Sequence, residues 1–306
     1  MSGRVLRLLL VLVLAAGLGG GAFWWLTEPK RVDAASLPAH TADLANGERM
    51  FWAGGCASCH ARPGAQGDDK LVLAGGLELP TPFGTFRAPN ITPDRATGIG
   101  GWSLADFVTA MKDGTSPDGR HYYPAFPYAS YQRMRTEDLI DLKAYLDTLP
   151  AAENVVAGPD LAFPYNFRRG LGLWKLLYLD GEPYRPSPAY SEQAQAGGYL
   201  VEGPGHCGEC HTPRSVFGGM ERDRWLAGGP SPEGKGTIPN ITPVAGQFGE
   251  WSEGEIAYAL ESGFTPDYDS LGGSMASVVT NWSHVPAADR EAVAAYLKAI
   301  PPIAGP

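Results

Sequence analysis

The sequence is poor in cysteine and in charged residues. Its 306 residues include four cysteines, which are too few for a disulfide scaffold of this size. Charged residues make up 19 %, and 24 basic against 33 acidic side chains give a formal net charge of −9. That balance excludes a surface built to neutralise nucleic-acid phosphates, so we expect no nucleic-acid partner.

Alternation of apolar and polar residues is also missing over any stretch long enough for a sheet, so the sequence predicts an all-α fold. Glycine and proline are abundant by contrast, at 40 and 27 residues, which indicates many turns. At roughly 150 residues per domain, the length allows about two domains. Long loops inside small helical domains are unusual unless something fills the middle, and a large apolar cofactor would do so.

The N-terminus carries a long apolar run. Leu8 to Leu26 holds nineteen residues without a charge, and as a helix it would measure about 28 Å, close to the thickness of a bilayer core. A cleaved signal peptide has a shorter apolar run of roughly 7–15 residues, and Trp24 and Trp25 lie where a lipid interface favours aromatic rings. Residues 1–32 are therefore predicted to be a membrane anchor, with a cleaved signal as the alternative.

The remainder of the chain repeats itself. Cys-Ala-Ser-Cys-His at Cys56 recurs as Cys-Gly-Glu-Cys-His at Cys207, an offset of 151 residues. Three further words recur in the same order: Leu-Ala-Gly-Gly, Pro-Asn-Ile-Thr-Pro and Trp-Ser. So many words in one order indicate a duplicated domain.

The duplication sets the predicted domain boundaries. The first domain spans 41–150, the second spans 188–302, and residues 151–187 form an interdomain linker with a short apolar stretch. In each half, apolar residues at helical spacing follow a serine that can cap a helix, and a last helix stops before a proline.

Each half contains one Cys-x-x-Cys-His segment, the attachment signature of a c-type haem. Two thiols about one helical turn apart can both bond to one porphyrin, while the next imidazole reaches the iron. The sequence thus predicts two covalently bound haem c groups, held by Cys56, Cys59 and His60 in the first half and by Cys207, Cys210 and His211 in the second. A zinc site would require a further cysteine that the chain lacks, and a redox dithiol is the other alternative. Because this chemistry needs an export route, residues 33–306 are predicted to lie in the periplasm, behind a single-pass anchor in the bacterial inner membrane.

The chain resembles the multihaem cytochrome c subunits of membrane-associated alcohol, aldehyde and related dehydrogenases. The resemblance covers nearly all of 41–302 and rests on the haem signature, the repeated words above, Tyr-Pro-Ala-Phe-Pro-Tyr at Tyr123 to Tyr128, and Ala-Tyr-Leu before a proline. It implies two tandem class I cytochrome c folds that pass single electrons from a periplasmic dehydrogenase to quinone, a terminal oxidase or another cytochrome. The alcohol dehydrogenase subunits carry three haems, whereas this chain has two Cys-x-x-Cys-His segments, so it is identified as a dihaem member.

The resemblance also implies a methionine as sixth iron ligand, between the middle and last helices of each half. Met275 fits this place in the second half, with Met220 and His284 as weaker candidates. In the first half, the family's methionine is replaced by Phe126, and Met134 is the predicted substitute. The alternatives there are His121, Met111 and an open sixth position.

These features predict an electron carrier that performs no bond chemistry by itself. The alternative is a haem enzyme similar to dihaem peroxidases, in which one iron keeps an open position.

Overall fold

The computed structural model describes residues 2–231, 236–246 and 248–305. The described chain is mostly helical, and long turns join the helices. The helices are α1 (Gly3–Leu26), α2 (Leu44–Ala53), α3 (Cys56–His60), α4 (Leu104–Asp113), α5 (Tyr128–Tyr131), α6 (Thr136–Leu146), α7 (Leu171–Tyr178), α8 (Glu192–Glu202), α9 (Gly208–His211), α10 (Glu253–Ser262), α11 (Ser274–Trp282) and α12 (Ala287–Ala299). The strands are β1 (Glu78–Thr81), β2 (Gly84–Arg87), β3 (Asp160–Leu161), β4 (Gly229–Pro230) and β5 (Thr237–Ile238).

Helix α1 is the predicted anchor, and it extends further than the uncharged run alone. The helix has 24 residues, and its most apolar stretch of 18 residues has a mean hydropathy of 2.1. None of the 24 residues is buried. Its length and composition are sufficient to cross a membrane. The helix ends at Leu26 and is capped by Thr27, whose hydroxyl donates to the Phe23 carbonyl at 2.6 Å.

The first and last helices of each half cross at a glycine. A Cβ atom at Gly47 of α2 would lie 2.2 Å from the Asp141 carbonyl oxygen of α6. At Gly197 of α8, it would lie 1.8 Å from the Ala292 carbonyl oxygen of α12. The two helix pairs therefore touch backbone to backbone, which only a residue without a side chain permits.

The middle helices of the two halves, α4 and α10, begin and end in the same way. Ser103 and Ser252 each form a capping box with an acidic residue three positions on, and each helix closes on a left-handed glycine. The serine caps predicted from the sequence are thus confirmed. After each helix, a tight hairpin forms through the bridges Thr115–His121 and Phe264–Ser270.

Two small sheets interrupt the helices, so the all-α prediction is incomplete. In the larger sheet, β2 pairs antiparallel with β1 and with β3, and β3 belongs to the linker. In the smaller one, β4 pairs with β5. Each strand has only two to four residues, which is too short to show a period of two in the sequence.

Candidate haem sites

The first attachment segment begins at a sharp turn. Gly55, with a φ of 60°, precedes α3, which carries Cys56 and Cys59 on a single helical turn. Both thiols are free and half-buried, and burial raises the pKa of Cys56 to about 12. The second segment differs in detail, because His206, with a φ of 39°, replaces the glycine and Cys207 caps α9, but burial likewise raises the pKa of Cys207 to about 12.

The two histidines adjoining these cysteines make the same hydrogen bond. Nδ1 of His60 lies 2.8 Å from the Pro89 carbonyl oxygen, and Nδ1 of His211 lies 2.9 Å from that of Pro239. A carbonyl only accepts, so each Nδ1 carries the proton and each Nε2 keeps a free lone pair. Burial lowers the pKa of both imidazoles. Each ring is therefore held in the neutral tautomer that can bind iron through Nε2.

Pro89 and Pro239 each begin a Pro-Asn-Ile-Thr-Pro loop, and the asparagine of that loop fixes its position. The Asn90 side chain donates to the Ala152 carbonyl at 2.7 Å, and the Asn240 side chain donates to the Ile303 carbonyl at the same distance. Each asparagine thus ties the loop to the chain that follows the last helix of its half. The repeated Pro-Asn-Ile-Thr-Pro segment thus has a structural role next to the histidine of each candidate site.

The residue set fits haem c better than a bare metal ion. The described part of the chain has no group of three or more His, Cys, Asp and Glu side chains that could hold a metal ion. Apolar side chains in both halves, among them Ile91, Trp102, Ile241 and Trp251, pack on the core while staying partly exposed. Thiols, an oriented imidazole and uncovered apolar surface are what a covalently bound porphyrin requires.

The two candidate haem sites differ in the residue that follows the hairpin after α4 or α10. Phe126 lies five residues beyond the bridge residue His121, and Met275 lies five residues beyond the equivalent Ser270. Both side chains are half-buried. The Phe126 ring packs 5.7 Å from the Tyr131 ring, whose hydroxyl lies 3.4 Å from the Gly54 carbonyl, just before the first attachment segment. The position that holds a sulfur in the second half therefore holds a phenyl ring in the first.

Met134 lies in the core, two residues before α6, and is 1 % exposed. Its counterpart is Val285, two residues before α12 and 2 % exposed, and both amides close the same kind of turn. A shared packing role therefore explains the burial of Met134, and its ligation of the first iron stays a prediction.

His121 contacts the residue that caps α1. Its Nε2 lies 2.9 Å from the carbonyl oxygen of Thr27, at the end of α1, and burial lowers its pKa. His284, the weaker candidate in the second half, stacks on the Trp52 ring at 4.0 Å. The sequence analysis considered both histidines as iron ligands, but in the structure each ring contacts another part of the protein.

The two attachment segments contact each other where they begin. Nε2 of His206, the residue before Cys207, lies 3.3 Å from the carbonyl oxygen of Gly54. The Asn281 side chain of α11 donates to the hydroxyl of Ser58, between the first two cysteines, at 2.6 Å. Sequence reasoning missed this contact because it depends on how the halves dock.

Comparisons with known proteins agree with this geometry. The cytochrome c family model matches residues 44–150. The chain is 54 % identical over 294 residues to a dihaem cytochrome c-type protein of Cereibacter sphaeroides, covering 96 % of this chain and 97 % of that protein.

Dehydrogenase subunits are also similar. Identity is 34 % to the fructose dehydrogenase cytochrome subunit of Gluconobacter japonicus and 37 % to the cytochrome c subunit of the quinone alcohol dehydrogenase of Komagataeibacter europaeus. These matches cover 86 % and 87 % of this chain but 54 % and 57 % of the relatives, so the chain spans about half their length. The chain belongs to the cytochrome c family, as a dihaem c-type cytochrome that binds two haem c groups covalently and transfers electrons.

Proposed function

We propose that the protein is a membrane-anchored carrier that takes single electrons from a periplasmic dehydrogenase and delivers them to quinone, a terminal oxidase or another cytochrome. The observation that carries this proposal is the contact between Gly54 and His206. It brings together the starts of two segments that each attach a redox group. A carrier with two such groups needs them close to each other, whereas two independent sites do not.

The proposed architecture is a pair of tandem class I cytochrome c domains, 41–150 and 188–302, joined by 151–187. The support is the recurrence of whole contacts in both halves: the glycine crossing of first and last helices, the capping box and hairpin of the middle helix, and the bond from histidine to proline carbonyl. The linker is tied to the first half through β3.

The proposed ligand set follows from these halves. Haem c supplies an iron that changes reversibly by one electron. Cys56 and Cys59 in the first half, and Cys207 and Cys210 in the second, hold the porphyrins through thioether bonds. His60 and His211 offer Nε2, since their Nδ1 atoms are bound elsewhere.

Met275, in the first turn of α11, is the proposed sixth ligand in the second half, where a thioether would raise the potential. In the first half, Met134 is the one methionine between α4 and α6. Met134→Leu decides its role, because leucine keeps the apolar volume and removes the sulfur. A changed spectrum of the first haem would confirm ligation, and an unchanged one would contradict it.

The proposed location is the bacterial inner membrane, with α1 as a single-pass anchor and the haem halves in the periplasm. The support is the apolar α1 and the similarity to cytochrome subunits of dehydrogenases. Those relatives are named as cytochrome subunits of dehydrogenases, which does not favour the peroxidase-like alternative.

The proposal is tested on the full chain, matured with both haems and held in lipid nanodiscs. A reductive titration should take up two electrons per chain, and carbon monoxide should leave the spectrum of the reduced second haem unchanged. Added oxidised quinone or an oxidised soluble cytochrome should then reoxidise the protein. Rapid turnover of hydrogen peroxide with an open iron, and no electron delivery to either acceptor, would overturn the proposal in favour of the enzyme.

A further inference from the structure

Helix α7 in the linker has its apolar side facing outward. Leu173, Leu176 and Leu177 lie on one helical face and are 43 %, 53 % and 68 % exposed. Gly172 is buried, and the Lys175 ammonium turns inward to donate to the Gly114 carbonyl at 2.8 Å. A surface helix facing water has the opposite arrangement, with leucines inward and lysine outward.

Further apolar side chains extend this face. Phe167, four residues before α7, is 52 % exposed, and Phe217 of the second half is 69 % exposed. The Trp174 indole donates to the Phe217 carbonyl at 3.0 Å, which fixes that loop beside α7. We call Phe167, Leu173, Leu176, Leu177 and Phe217 the apolar patch. Contiguous exposed apolar surface of this kind marks an interaction site.

The apolar patch adjoins the end of α1. A Cβ atom at Gly172 would lie 2.5 Å from the Thr27 Cβ, so α7 packs directly on the residue that ends α1. The Phe167 ring stacks on that of Phe23 at 6.0 Å. Arg169 donates to the Thr27 hydroxyl at 2.9 Å and lies 4.2 Å above the Trp24 ring. The patch is thus continuous with the helix that can cross a bilayer.

The charge around the patch also differs from that of the whole chain. The chain has a net charge of −9, yet residues 167–179 contain no acidic residue and two arginines, Arg168 and Arg169, besides Lys175, which turns inward. Basic segments next to a membrane helix are attracted to anionic lipid headgroups, and Trp and Tyr side chains, such as Trp174 and Tyr178 of α7, favour the interfacial layer. Of the surfaces that could cover the patch, a lipid surface fits both the apolar face and the charge.

We propose that the apolar patch lies in the interfacial layer of the membrane that α1 crosses, so that the haem halves rest on the bilayer in one orientation. A short helix with an apolar face and flanking basic residues binds membranes in this way. The inference rests on the proposed anchoring by α1 and adds a second contact with lipid.

The test places a nitroxide on the full chain in nanodiscs of phosphatidylethanolamine and phosphatidylglycerol. Because haem c occupies all four native cysteines, Leu177→Cys introduces a single free thiol. Tyr268→Cys is the matched control, since Tyr268 is 92 % exposed on the second half. Power-saturation electron paramagnetic resonance then compares relaxation by dissolved oxygen, which concentrates in lipid, with relaxation by a water-soluble nickel chelate.

The expected result is loss of nickel relaxation and gain of oxygen relaxation at position 177, with the reverse at position 268. Equal nickel relaxation at both positions, in protein that remains in the disc, would overturn the inference while leaving the anchor intact. Protein that does not remain in discs would instead overturn the anchoring proposal. Protection at position 177 that persists in detergent and disappears on dilution would identify a second copy as the partner and overturn the lipid assignment.

A paired substitution tests the patch independently. Leu176→Glu with Leu177→Glu places two carboxylates on an already exposed face, so the fold is kept. Leu44→Glu on α2, at 49 % exposure, is the control. With a nitroxide on Phe217→Cys, the double variant should gain nickel relaxation and the control should not. No gain in the double variant would contradict the proposal.

Discussion

The glycine crossing of α8 and α12 gives the sharpest quantitative prediction, through Gly197→Ala. The added methyl group would lie 1.8 Å from the Ala292 carbonyl oxygen and 2.3 Å from its carbon. Ordinary contact begins near 3.4 Å, so the helices must separate by about 1.5 Å and lose packing along their length. Overpacking costs about 1–3 kcal/mol or more, against a helix-propensity gain of about 1 kcal/mol. Because the contact is with rigid backbone, we take the upper part of that range and expect the free energy of unfolding of the second half to fall by about 1–2 kcal/mol.

Urea unfolding of the detergent-solubilised holoprotein, followed by circular dichroism, measures this change. Gly254→Ala is the matched control, because Gly254 is in α10 and an added Cβ would meet no atom within 4 Å. That variant should equal the wild type or exceed it by up to about 1 kcal/mol. If Gly197→Ala matched Gly254→Ala, the backbone contact between α8 and α12 would be refuted as a determinant of this fold.

Three further predictions follow from single contacts. Met275→Ala should let the reduced second haem bind carbon monoxide, while Met220→Ala should leave the carbon monoxide spectrum of the wild type unchanged; no difference between the two variants would remove Met275 as a ligand. His121 has a pKa lowered by burial, so the unfolded chain takes up its proton first as pH falls below about 6.5 and stability decreases. His121→Gln should reduce that decrease by up to about 1.4 kcal/mol per pH unit, and an unchanged pH profile in urea unfolding would contradict this. Asp289→Asn removes a two-point ion pair with Arg49 across the halves, 2.9 Å in one contact; because the pair is partly exposed, unfolding should become easier by only about 0.5–1 kcal/mol, and the difference from wild type should shrink at high salt.

Short sequence segments were sufficient to predict several features of this structure. The two Cys-x-x-Cys-His segments, the apolar helix α1 and the serine caps each depend on consecutive or regularly spaced residues, because attachment and capping involve near neighbours. Met275 could be proposed for the same reason, since it follows a glycine pair between two predictable helices.

Features that depend on long-range contact could not be predicted. The bond from His60 to Pro89 joins residues 29 apart, and His206 meets Gly54 only when the halves dock. His121 has the chemistry of an iron ligand, and only its tertiary environment assigns it to the end of α1. The pairing of β3 with β2 could not be predicted for a related reason, because β3 has only two residues and forms a strand only through its hydrogen bonds to β2.

The asparagine loops have a consequence for how the two irons are tuned. The strength of the bond to Nδ1 sets the electron donation of a ligating imidazole, and with it the redox potential. In the second half, the chain that steadies Pro239 is the C-terminal segment at Ile303. In the first half, it is Ala152, at the start of the same linker that continues to β3 and α7. The two histidines proposed as iron ligands are thus steadied from different places, His211 by the C-terminal segment and His60 by the linker that continues to α7.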